Sequence, residues 1–78
     1  MPNPASDVVK VVVSLSTPQT VEFRILDITG KYIYTARENT GQGTVTHAID
    51  LNEFASGIYL VEITAGSDVS RQRLVITK

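Results

Sequence analysis

His47 is the one imidazole in this 78-residue chain and the natural starting point for acid–base chemistry. It has the same parity as Val45 and Ile49 in an alternating run from Gly43 to Asp50. Nucleophilic catalysis needs a nucleophile and an orienting carboxylate to converge on such a ring. No short motif here supplies them, so a structural histidine near a sheet face is the favoured reading. Asp50, Asn52 and Glu53 could offer oxygens to calcium, but their spacing does not match an EF-hand loop. An Asx turn at Asp50, starting a connection, fits better. Gly41 and Gly43 form no phosphate-binding fingerprint, since no helix follows to present its N-terminus; a hairpin turn is expected there. Tyr32, Tyr34 and Tyr59 raise the prospect of a sugar-stacking platform, with Tyr32 and Tyr34 sharing a strand face. With five aromatics in all and no Trp, ordinary packing is favoured. The absence of cysteine removes disulfides, Cys-ligated zinc and thiol catalysis together. The residue supply therefore points to no enzyme, no cofactor and no metal site.

Composition narrows the class further. A chain of 8.5 kDa with 42% hydrophobic and 19% charged residues reads as one small folded domain, not a disordered tail. Size scaling gives such a domain a folded surface of about 4,700 Å². The longest apolar run is Ile58 to Val61, far too short for a membrane span. Seven basic and eight acidic residues give a net charge of −1 without a cluster of Lys or Arg. A nucleic-acid partner is therefore not expected, because binding needs a basic patch to displace counterions. No signal-peptide pattern precedes the fold, and Met1 before Pro2-Asn3-Pro4 reads as an artificial start on an excised piece.

The elements that must position these residues are strands. Val, Ile and Thr number 10, 7 and 9, against five each of Leu and Ala, and β-branched side chains favour a pleated surface. Val21, Phe23 and Ile25 alternate with Glu22 and Arg24; Tyr59, Val61, Ile63 and Ala65 alternate with Glu62 and Thr64. Turn-forming clusters at Ser16–Gln19, Thr29-Gly30, Asn39–Gly43 and Ala65–Asp68 separate the runs. Strands are expected near 8–16, 20–27, 31–38, 43–50, 58–65 and 69–77, with Leu51–Gly57 an irregular or one-turn connection crossing between sheets. Six or seven short strands at this spacing argue an all-β, two-sheet antiparallel sandwich.

Two features go beyond packing. Val8, Val9, Val11, Val12 and Val13 make the first strand apolar on both faces. Its second face must lie under a loop, be covered by a neighbour or stay exposed, which leaves room for a weak homodimer. The last strand runs to the end of the chain, so this end is expected to be built into the fold.

The order of short motifs carries a resemblance. Pro2-Asn3-Pro4-Ala5 opens the chain and Ile28-Thr29-Gly30-Lys31 makes the second turn. Ile49-Asp50-Leu51 precedes Ala55-Ser56-Gly57-Ile58-Tyr59-Leu60-Val61, and Arg71-Gln72-Arg73-Leu74-Val75-Ile76-Thr77-Lys78 closes the chain. Across essentially its whole length the chain resembles the type A C-terminal sorting domain of type IX secretion cargo in Bacteroidota. One departure is Met1, where an aliphatic or aromatic residue is usual before Pro2. The motif residues carried over are Pro2, Asn3, Pro4, Gly30, Gly57, Tyr59, Arg73, Val75 and Lys78.

The resemblance implies an immunoglobulin-like sandwich of about seven strands, joined through its N-terminus to a secreted cargo. It implies recognition by the type IX machinery and an outer-membrane shuttle protein, with transit through the periplasm to the cell surface or medium. It also implies removal by a sortase-like surface protease, with attachment of the cargo to lipopolysaccharide or its release. Strand addition at an exposed edge, with Val69–Lys78 as candidate, is a physical route to recognition. Two other readings remain from the residues themselves: an accessory β-sandwich module binding sugar or protein, and a plain structural spacer.

Overall fold

The computed structural model describes residues 7–78, so Pro2, Asn3 and Pro4 lie outside the described residues. Among the described residues six strands follow one another: β1 (Val8–Leu15), β2 (Gln19–Leu26), β3 (Tyr32–Thr40), β4 (Gly43–Asp50), β5 (Gly57–Ala65) and β6 (Asp68–Ile76). They form a two-stranded sheet, β1-β4, and a four-stranded sheet ordered β3-β2-β5-β6. Every pairing is antiparallel, an arrangement consistent with an immunoglobulin-like sandwich. The surface area is 4792 Å².

The core follows from strand alternation. Val9, Val11 and Leu15 from β1 and Ile49 from β4 meet Val21, Phe23, Ile25, Val61, Leu74 and Ile76 of the larger sheet. At about 25 cal/mol/Å² of apolar surface removed from water, these side chains supply the dominant folding term. The segment Leu51–Ser56 crosses between the sheets as turns, and buries Leu51 completely.

Two expectations require correction. Gly41 and Gly43 do not make a hairpin: β3 and β4 belong to different sheets, so this turn is an arch over the edge of the core. Tyr32 and Tyr34 do not share a face. A register shift between Ile25 and Leu26 pairs Tyr34 with Ile25 and Tyr32 with Leu26, placing the rings on opposite faces. Of the alternatives for the second face of β1, no loop covers it among the described residues: Val8 and Val12 are exposed.

Candidate functional site

Three of the motif residues converge on the β4–β5 crossover. Asp50 begins it with an Asx turn, its Oδ1 accepting the Asn52 amide at 2.9 Å, the role favoured over calcium binding. The Phe54 amide then donates to the Leu51 carbonyl at 3.0 Å. Tyr59, inward-facing on β5, reaches back and donates its hydroxyl to the Ala55 carbonyl at 2.7 Å. Its ring also meets Phe54 edge-on, with centroids 5.7 Å apart. Gly57 starts β5 between these contacts; a Cβ there would lie 3.8 Å from the Tyr59 ring, an ordinary contact.

Lys78 closes this arrangement from the other end of the chain. Its ammonium donates to the carbonyls of Leu51 at 2.6 Å and Asn52 at 3.0 Å, while its amide donates to Ser56 Oγ at 3.1 Å. Neither carbonyl has a ladder partner, although that of Leu51 also accepts from the Phe54 amide. A cation donating to both makes charge-assisted bonds, so the segment after β6 is tied to the segment before β5.

The other motif residues stand apart. Gly30 lies in the β2–β3 turn with φ +88°, where a Cβ would strain the backbone. Asp27 organises that turn: its Oδ1 accepts from the Thr29 amide (2.9 Å), the Thr29 hydroxyl (2.6 Å) and the Lys31 amide (3.0 Å). These bonds, led by the Thr29 hydroxyl, hold the Asp27 carboxyl below its usual range. Arg73 and Val75 pair with Leu60 and Ile58 on the outward face of the larger sheet.

The same outward face carries a charged ladder across all four strands. Glu62 is almost fully buried although it faces away from the core. Arg71 Nε meets its Oε2 at 2.8 Å and Arg24 Nη1 its Oε1 at 3.4 Å. Arg24 and Arg37 both reach Glu22 Oε2, at 2.9 and 3.2 Å. The Arg37 hydrogen bond leads in pulling the Glu22 carboxyl below its usual range, against partial desolvation. Arg24 also lies 5.6 Å from the centroid of the Tyr32 ring.

His47 has partners that no linear motif revealed. Its ring stacks on Phe23 with centroids 4.3 Å apart. Nδ1 lies 2.5 Å from Glu38 Oε1 and Nε2 lies 3.0 Å from the Tyr34 hydroxyl. Burial, with the Glu38 charge adding to it, raises the Tyr34 hydroxyl above its ordinary value, which opposes formation of a phenolate nucleophile. The trio joins the edge strand β3 of one sheet to β4 of the other, a structural role for His47. Their shared inward parity, Tyr34 and Glu38 on one strand and His47 on the next, was the available signal.

A cleft of about 220 Å³ lies at the opposite end, lined by Val13, Leu15, Gln19, Ile63, Asp68 and Ser70 among others. Among the described residues, no aromatic ring and none of the His47 trio lines it. A sugar platform finds no match in the tyrosines either, since Tyr34 faces inward, Tyr59 is committed to Ala55 and Tyr32 is the one ring outward.

Comparison with known proteins fits this geometry. No curated relative matches the chain. A family model described as the secretion system C-terminal sorting domain matches residues 1–77. That match spans the β2–β3 turn, the crossover and the final strand. The chain therefore belongs to the family of C-terminal sorting domains, the type IX secretion signals that direct proteins to the cell surface or extracellular space.

Proposed function

We propose that this domain is the C-terminal, non-catalytic unit of a longer secreted protein, and that its folded crossover end is the part of the signal the machinery reads. The cargo reaches the periplasm, and the type IX translocon with its outer-membrane shuttle protein recognises the domain. A sortase-like surface protease then removes it, leaving the cargo attached or released. The observation that carries this reading is the family match over residues 1–77, together with the convergence of Gly57, Tyr59 and Lys78 on one crossover. The place of β6 as an end strand of the larger sheet supports it, because such an edge is open to strand addition by a partner.

Two conservative variants test the reading. Tyr59→Phe removes the bond to Ala55 but keeps the ring that packs against the core beside Leu74, and Lys78→Ala removes the bonds from the ammonium. In a reporter fusion both are expected to reduce export while the isolated domain stays folded. Deleting Ile76–Lys78 would confound the result, since Ile76 is a core residue. Undiminished export of both folded variants would contradict a role for the crossover end in recognition.

A further inference from the structure

An antiparallel sheet with one face on the core ordinarily turns a polar face to water. The larger sheet departs from that rule on its outward side. Beside the charged ladder, Tyr32, Leu26 and Leu60 lie in register across β3, β2 and β5, and the Ile58–Val75 pair lies one step closer to the crossover. Tyr32, Ile58 and Leu60 are exposed large hydrophobics. Ile28, at the tip of the β2–β3 turn, is 81% exposed. Its turn is held by the three bonds to Asp27 Oδ1 and by backbone bonds from Asp27 to Lys31 and from Gly30 to Asp27. A preorganised turn that projects an aliphatic side chain loses little further entropy when a partner covers it.

Charge identifies the kind of partner. The outward face carries Arg24, Arg37, Arg71 and Arg73 against Glu22 and Glu62, a surplus of two positive charges. The rest of the chain holds three lysines against six carboxylates, a deficit of three, which together give the net −1. The basic residues are thus concentrated on the side that also exposes the apolar stripe. Two copies meeting face to face would oppose like charge, so a second copy is disfavoured.

We propose that the outward face formed by Tyr32, Leu60 and Ile58 around the buried Leu26, with Ile28 at the tip of the adjoining β2–β3 turn, is a docking surface for a component of the type IX machinery that presents aliphatic side chains ringed by carboxylates. This rests on the sorting reading above and adds to the crossover end a second contact surface, with the chemistry of its partner. Apolar contact supplies affinity, and the arginine-rich ladder beside it steers an acidic rim into register.

The test uses a reporter carrying the full 78-residue domain in a type IX-competent strain, with thermal unfolding of each isolated domain as the folding check. Leu60→Glu and Ile58→Glu place a carboxylate against the proposed acidic rim and are expected to lower secretion by at least about tenfold, the scale of losing a central interface anchor. Leu60→Lys loses the apolar contact but keeps the sign of the face, so its loss is expected to be several-fold smaller than that of Leu60→Glu. Val12→Glu, on the exposed side of the other sheet, is expected to be secreted like the parent. If Leu60→Glu does not fold, Ile58→Glu at a more exposed position carries the comparison. Normal secretion of folded Glu variants overturns the docking face, and a Lys variant as impaired as the Glu variant overturns the acidic rim. Loss of secretion in Val12→Glu to the same degree overturns the assignment to this face. Failure of the unsubstituted fusion to be secreted overturns the sorting reading, and the docking face with it. Sedimentation of the domain with mixed phosphatidylcholine–phosphatidylglycerol vesicles, lost in Leu60→Glu, overturns the protein partner in favour of an anionic lipid surface.

Discussion

The Lys78 ammonium lies 2.6 Å from the Leu51 carbonyl oxygen, bridging 27 positions of sequence and fastening the last strand to the crossover. Leu51 is itself fully buried, so this contact fixes the polar side of a segment whose apolar side belongs to the core. The contact links the motifs at the two ends of the β5–β6 hairpin into one structural unit.

Removing that contact has a defined cost. Lys78→Ala is expected to destabilise the domain by about 1 kcal/mol, the net worth of partly exposed hydrogen bonds. In a domain of this size that corresponds to a fall in melting temperature of roughly 4–8 °C. Thr77→Ala, at an exposed neighbouring position, is expected to leave the midpoint in place. Thermal unfolding followed by far-UV circular dichroism distinguishes the two.

The arginines that flank Glu62 are not equivalent. Arg24 is largely covered and reaches Glu22, Glu62 and Thr64, while the Arg71 side chain is 60% exposed. Arg24→Ala strips partners from a buried carboxylate and is expected to cost about 2 kcal/mol or more. Arg71→Ala is expected to cost about 1 kcal/mol, because water replaces part of what it supplied. Urea unfolding of the two variants checks the order; equal losses would contradict the ladder as described.

How far these features were legible in the sequence depends on their range. Alternation and turn-forming clusters place all six strands within two residues and put Val21, Phe23 and Ile25 on one face, the face that turns out to line the core, because side-chain parity is a local property. The Tyr32 face was missed because a bulge shifts parity without a residue-type signature. Glu38 and Tyr34 were not connected to His47 because a glycine-bearing turn was read as a hairpin; only the arch between sheets brings their inward faces together. The bonds from Lys78 to the crossover depend on tertiary placement, which no spacing rule encodes.

Acid and alkali act on different residues. Asp27 and Glu22 have carboxyls held below their ordinary range, so the stability they contribute is present above the unfolded carboxylate range. It is lost as pH falls through their lower folded values. Tyr34 is shifted upward, so its contribution is present below the ordinary tyrosine range and is lost as pH rises through its higher folded value. Melting temperature measured against pH is expected to fall on both sides of a neutral plateau. Asp27→Asn flattens the acid limb, and Tyr34→Phe flattens the alkaline limb; unchanged limbs would contradict these assignments.

Gly30 tests the β2–β3 turn. At φ +88° a side chain meets no neighbour, so the penalty is conformational and not steric crowding from outside. Gly30→Ala is expected to cost about 1 kcal/mol, and Gly30→Asn less, because Asn tolerates positive φ better. The two melting temperatures, measured side by side, check the order.

The most direct test of the central claim, that this folded domain is an export signal, is the secreted fraction of a periplasmic reporter carrying it at the C-terminus. Measured in a type IX-competent strain and in a translocon-deficient one, it is expected to be high in the first and near background in the second. An intact, folded fusion retained in the periplasm of both strains would contradict the claim.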